Sequence, residues 1–215
     1  PKHLINKKTV AKREENMLWH KLPPSIYFRR GSMVTAMEDL KDKKRACIVT
    51  DQYLFEHTPY VHDLLNLLKE RDIETEVFYE VRADTTLSTI RQGTAVLNTF
   101  QPDLIIAIGG GSPMDAAKMM WVLYEHPEVC FRELSLRFMD IRKRIFQFPK
   151  MGTKAKLVAI PTTSGTGSEV TPFAVVTDDA TGQKYPLADY ELTPMMAIVD
   201  ANLVMQMPKG LTAAG

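Results

Sequence analysis

Three times in the first half of this chain a β-branched run is followed by a segment with apolar residues at helical spacing, and that alternation limits the fold more than any other feature. Arg45–Thr50 reads as a buried strand, after which Val61, Leu64, Leu65 and Leu68 mark one face of a helix. Glu76–Val81 reads as the next strand, followed by a helix striped by Leu87, Ile90, Leu97 and Phe100 and weakened a little by Gly93. Leu104–Ile108 and a helix from Met114 to about Tyr124 complete the third pair. Successive βα units predict an α/β fold: a parallel sheet wound by right-handed crossovers, with its ligand crevice outside the carboxyl ends of the strands. Asp51, Asp84 and the glycines at 109, 110 and 111 all fall at that edge.

The flanking text is less periodic. Thr9 to His20 is charged and helix-favouring, Pro23-Pro24 ends it, and Ser25–Phe28 reads as a short edge strand. This pattern predicts a linker over 1–24 and an α/β domain over 25–207. A helix from about Ser135 to Phe148 turns Phe138, Ile141, Ile145 and Phe148 inward, leaving Arg137, Arg142, Lys143 and Arg144 as a solvated basic face. Lys156–Ile160 and Phe173–Thr177 read as strands around a hydroxyl-rich loop, and Ala197–Asp200 as the last strand. The chain opens on Pro1 and stops within Leu-Thr-Ala-Ala-Gly, which reads as a piece of something longer.

Composition removes several classes of function. With 27 Lys and Arg against 26 Asp and Glu, the net charge of +1 supplies no field to gather nucleic acid or an anionic membrane, so a small molecule is the expected partner. No apolar run approaches the ~20 residues of a membrane span, and the start from Pro1 to Lys8 has no hydrophobic signal region, which predicts a cytoplasmic protein. The two cysteines, Cys47 and Cys130, make no disulfide framework and read as packed thiols. The five histidines show no metal-ligand spacing, and His57 and His62, five residues apart, do not share a helix face.

The chemistry sits in the turns. Gly109-Gly110-Gly111-Ser112-Pro113 lacks the spacing of the usual dinucleotide fingerprint and the Lys-Ser/Thr ending of a P-loop. Ser112 reads as an N-cap, Pro113 as the first helical residue and Asp115 as the third. A glycine turn entering a helix exposes backbone N–H groups at the positive end of the helix dipole, a natural phosphate site. The same glycines also serve a plain tight corner, and the motif alone does not choose. Asp51, after the first strand, is placed to accept both ribose hydroxyls of an adenosine and to repel a 2′-phosphate, but Asp is equally a common helix-start residue, and here it precedes the glycines instead of following them by about 20 residues as in the usual fingerprint. Thr162, Thr163, Ser164, Thr166 and Ser168 interleave with Gly165 and Gly167 in a short loop between strands, a pattern suited to nucleotide contact. Lys184 is the one cation among these turns, and it also reads as an ordinary surface lysine.

Gly109 to Asp115 together with Pro161-Thr162-Thr163-Ser164-Gly165-Thr166-Gly167-Ser168-Glu169 resembles the iron-containing alcohol dehydrogenases. Glu15 to His20 and Arg137 to Arg144 extend the resemblance over nearly the whole chain, to the alcohol dehydrogenase part of the bifunctional aldehyde-alcohol dehydrogenases. The resemblance implies a Rossmann-like, dehydroquinate-synthase-like NAD-binding domain followed by a helical iron domain, of which 208–215 would be the start. It implies that Asp51 takes the adenosine ribose, Gly110, Gly111, Ser112 and Pro113 the pyrophosphate, and Thr162, Thr163 and Thr166 the adenine side, with Gly109 and Ser164 also at the cofactor. Asp84, Phe173, Lys184 and Leu203 would line the same cleft, with Lys184 near the nicotinamide ribose. The Fe²⁺ ligands, one Asp and three His, would lie beyond Gly215, leaving no catalytic residue in this segment. The implied reaction is reversible acetaldehyde/ethanol interconversion by a homo-oligomer or filament. A polyol dehydrogenase or lyase on the same fold, or a non-catalytic assembly module, are the rivals.

Overall fold

The computed structural model describes residues 21–131, 134 and 148–214. Residues 1–20 of the linker expected over 1–24, and 135–147 of the basic helix expected from about Ser135 to Phe148, lie outside the described residues. The described elements are β1 (Ser25–Phe28), α1 (Ser32–Ala36), β2 (Arg45–Asp51), α2 (Gln52–His57), α3 (Tyr60–Lys69), β3 (Glu74–Val81) and α4 (Leu87–Phe100). They continue as β4 (Leu104–Gly109), α5 (Gly111–Glu125), β5 (Lys156–Pro161), β6 (Phe173–Thr177), β7 (Lys184–Ala188), β8 (Met196–Val199) and α6 (Lys209–Ala214).

Six strands form one parallel sheet in the order β1-β8-β5-β4-β2-β3. The parallel α/β architecture is the one the alternating text predicts. Strand side chains alternate between two layers, as a period of two requires. Cys47, Val49, Ile105, Ala107, Leu157 and Ala159 face a core shared with α4 and α5. Ala46, Ile48, Leu104, Ile106, Val158 and Ile160 face a second core with α1, α3 and Leu203. Both faces are covered, which is why these strands are continuous apolar runs.

Among the described helices α5 is the most enclosed. Of its 15 residues 11 are buried, including Lys118, Trp121 and Glu125. Glu125 holds the corner that follows: its carboxylate accepts backbone N–H groups from Gly152, Thr153, Lys154 and Ala155 at 2.9–3.1 Å, the Thr153 hydroxyl and the Trp121 indole. α4 lies against α5, and a Cβ on Gly93 would meet Met120 Sδ and Cε at 2.5 Å. Gly93 thus gives up helix propensity in exchange for close approach of the two helices.

Several expectations need correction. α5 begins at Gly111 with Gly110 as N-cap, so Ser112 is the second helical residue and Pro113 the third. Pro113 is tolerated there because N–H groups of the first turn have no intrahelical acceptor in any case. Phe173–Thr177 is a strand but stands outside the main sheet, pairing antiparallel with β7, which the sequence reading missed. β7 holds Pro186 and only five residues, too few to show a period. Finally, Cys47 is buried, with burial and then Glu76 pushing its thiol up to about 12, whereas Cys130 is exposed beyond the end of α5. No described helix is long and apolar enough to cross a membrane.

Candidate functional site

The chain runs outward from β2 to β3, then crosses back to place β4 on the other side of β2. That reversal between β2 and β4 opens a crevice beyond their carboxyl ends, the usual ligand position in open α/β sheets. Val49 pairs with Ala107 on the last rung between the two strands, so Asp51 and Gly109, each two residues further on, both stand beyond it at the opening. A cavity of about 940 Å³ occupies this place.

Asp51 ends β2 and caps α2, with Oδ1 accepting the Leu54 N–H at 2.9 Å. The cap fixes the aim of the carboxylate on the cavity wall. The functional and capping readings of this residue are therefore compatible.

The opposite wall is the glycine corner. Gly109 has φ +148°, and a Cβ there would lie 2.7 Å from Pro113 Cγ, so this glycine is required by the chain itself. Gly110 and Gly111 differ: neither has positive φ, and a Cβ at either would make only ordinary contacts at 3.5 Å, with Thr163 and Thr166 respectively. Packing does not demand glycine at these two positions. What their glycines provide is bare backbone on the cavity wall at the N-terminus of a 15-residue helix.

The hydroxyl loop closes the third side. Thr162 N–H donates to Gly109 O at 2.9 Å, which docks the loop on the corner. Thr163 Oγ1 is buried without a hydrogen-bond partner beside Gly110. Ser164 N–H points at Met207 Sδ, 3.3 Å away, bringing in the residues before α6.

The structure brings Asp51, Gly110, Gly111, Ser112, Pro113, Thr162, Thr163 and Leu203 together around one cavity. Gly109, Ser164 and Thr166 stand immediately behind its lining through the contacts just given. Asp84 and Lys184 are both exposed and pair with each other at 2.6 Å, while Phe173 is half exposed on the hairpin. These three are not among the residues lining the cavity. Asp84 carries φ +58°, a left-handed turn that Asp accommodates better than most residues.

Sequence reasoning missed Tyr53, Glu56 and His57 of α2, which also line the cavity, as do Gln206, Met207 and Pro208. Six residues of helix are too short to show an apolar stripe. An Asp three residues before an apolar Leu was the available signal, as an N-cap. Among the described residues, no three His, Cys, Asp or Glu side chains come together as a metal site.

Residues 23–201 match the family model for iron-containing alcohol dehydrogenases. The bifunctional aldehyde-alcohol dehydrogenase of Escherichia coli K12 is 70% identical across 100% of this chain, which covers 24% of that protein. The aldehyde-alcohol dehydrogenase of Clostridium acetobutylicum is 58% identical over 99% of this chain and 25% of its own length. The chain therefore spans about a quarter of these relatives. An NADPH-dependent butanol dehydrogenase of Clostridium saccharobutylicum is 43% identical, over 92% of this chain and 48% of that one. Among solved structures, 1,3-propanediol oxidoreductase superposes with a TM-score of 0.80 at 28% identity, covering 92% of this chain and 49% of its own. The iron-containing alcohol dehydrogenase of Thermococcus thioreducens gives 0.80 at 29%, covering 90% and 49%. The glycine corner, the hydroxyl loop and the parallel sheet agree with these matches in placing the chain in the iron-containing alcohol dehydrogenase family.

Proposed function

We propose that this chain is the cofactor-binding part of an NAD- and iron-dependent alcohol dehydrogenase that interconverts acetaldehyde and ethanol. The observation that carries the reading is the pair of glycines, 110 and 111, which packing does not require and which bare a helix N-terminus toward Asp51. A dinucleotide fits that layout. Backbone N–H groups of Gly110, Gly111 and Ser112 hold the pyrophosphate, with Gly109 and Pro113 shaping the corner. Asp51 accepts the adenosine ribose hydroxyls, and Thr162, Thr163, Ser164 and Thr166 flank the adenine side. Asp84, Phe173, Lys184 and Leu203 extend the cleft, with Lys184 toward the nicotinamide ribose. The bound nicotinamide supplies the hydride exchanged with the substrate carbon. Among the described residues no three His, Cys, Asp or Glu side chains come together to hold iron, and the dinucleotide contacts proposed here do not involve it.

Asp51→Ser tests the reading of the ribose contact. Serine keeps an N-cap acceptor for Leu54 while removing the charge that opposes a 2′-phosphate. NADH over NADPH discrimination, read from dissociation constants by fluorescence titration, should fall about tenfold, equivalent to ~1.4 kcal/mol. An unchanged ratio would remove Asp51 from the cofactor site. Purified residues 1–215 should bind NADH without turnover, and measurable dehydrogenase activity from them alone would sink that division of labour. A polyol dehydrogenase is the second reading, supported by the superposition on 1,3-propanediol oxidoreductase. Rates of the full-length protein with ethanol and with glycerol separate the two. A cytoplasmic homo-oligomer or filament completes the proposal, to be tested by light scattering.

A further inference from the structure

Lys118 lies in the second turn of α5, is fully buried, and faces away from the cavity wall. Its Nζ donates to the backbone carbonyls of Ser168, Thr171 and Phe173 at 2.8, 2.9 and 2.7 Å, and to Ser168 Oγ at 3.1 Å. Asp115, one turn earlier, accepts from Ser168 Oγ at 3.1 Å and from the Val175 N–H at 3.0 Å. Together the two side chains fasten the stretch from Ser168 into β6 onto the helix whose N-terminus forms the glycine corner. The hydroxyl loop is thus held at both ends: by Thr162 N–H on Gly109 O, and by Lys118 on Ser168. Between those anchors Thr163 faces Gly110 and Thr166 faces Gly111, each 3.5 Å from where a Cβ on the glycine would stand.

We propose that Lys118 is a positioning residue of the dinucleotide site, its buried ammonium holding the hydroxyl loop in register against the glycine corner. The inference rests on the dinucleotide reading of the cavity. An amine spends three N–H donors on these four acceptors only while it is protonated. Burial lowers Lys118 to about 8, with Asp115 and Glu169 pulling the other way. Those two carboxylates are the charged groups that bear on the amine; β6 and the loop before it otherwise offer it only carbonyls and the Ser168 hydroxyl.

Above pH 8 the neutral amine has two donors, one carbonyl loses its partner, and the loop loosens. The effect on global stability has the opposite sign. Lys118 in the folded chain gives up its proton below the ordinary value of 10.5, so its contribution to stability rises with pH from about 8 to 10.5. The titration of Lys118 itself therefore does not favour unfolding over that window, whereas that of Cys47, held up to about 12, does so above about pH 9, and circular dichroism separates the two.

NADH affinity of the full-length protein, titrated from pH 7 to 9.5, should fall about fivefold or more through pH 8 while far-UV circular dichroism stays constant. Lys118→Met should bind NADH about tenfold more weakly at pH 7 and lose the pH dependence. Ser168→Ala, which keeps all three carbonyl contacts, should weaken binding about threefold and keep it. Hydrogen exchange without cofactor reads the loop by itself: amides from 162 to 173 should exchange at least tenfold faster in Lys118→Met at pH 7. A flat affinity profile in the unmodified protein, or unchanged loop exchange in Lys118→Met, overturns the proposal. Faster loop exchange in a protein that binds no NADH at any pH would instead overturn the dinucleotide reading and leave the tether standing.

Discussion

Gly109 ends β4 with φ +148° and its missing Cβ leaves room for the Pro113 ring. Gly109→Ala therefore meets both a backbone penalty of ~1–3 kcal/mol and a contact that only movement of the helix start relieves. The expected result is a loss of about 3 kcal/mol, read by urea denaturation, with weakened NADH binding in the fraction that folds. Gly110→Ala is the useful contrast. It should leave the denaturation midpoint nearly unchanged and weaken NADH binding at least tenfold, because its Cβ has space within the chain but stands on the cavity wall. A second buried charge carries comparable weight: Glu125 serves four consecutive backbone N–H groups. Glu125→Gln replaces one carboxylate oxygen by an NH₂ that faces donors, and should cost about 3 kcal/mol in the same measurement. Neither role was visible in the text of the sequence. Glu125 and Lys118 sit in a helix-forming segment where a charged residue ordinarily marks the solvent face, and only the hairpin and the 152–155 corner reveal what covers them.

Among the elements, most strands of the main sheet were legible as short apolar runs, and helices α3 and α4 because each has a stripe long enough to declare itself. The stripe Val61, Leu64, Leu68 is buried as its spacing requires, with Leu65 at the margin. α5 was legible as a helix but not as a core element, since apolar residues on every side leave no stripe to orient it. The short pieces were not legible: α2, β7 and the antiparallel pairing of β6 depend on contacts made by distant residues. The α4–α5 contact supplies a test at this scale. Gly93→Val inserts two methyl groups where a single Cβ already meets Met120 and Phe78. Overpacking outweighs the gain in helix propensity, and the expected loss is about 2 kcal/mol by thermal denaturation. Gly93→Val with Met120→Ala should recover part of that loss by vacating the space, which a purely local helix effect would not allow.

For the whole molecule, the topology was largely written in the order of strands and helices, and the position of the cleft followed from it. The crossing from β3 back to β4 is what sets Asp51 opposite the glycine corner, two features more than 50 residues apart in sequence. The composition of the wall was only half readable, because α2 and the stretch from Gln206 to Pro208 join it through tertiary contact.

The cap made by Asp51 is local, reaching only the N–H of Leu54. Glycine corner and hydroxyl loop, by contrast, are bound into the core through Gly109, Asp115 and Lys118. The two walls therefore differ in how freely they can drift. Under the proposed function, exchange of one nicotinamide dinucleotide for the other is confined to the end of one strand and a six-residue helix. A lineage can cross that boundary by substitutions at 51–57 while everything that grips the phosphates stays as it was.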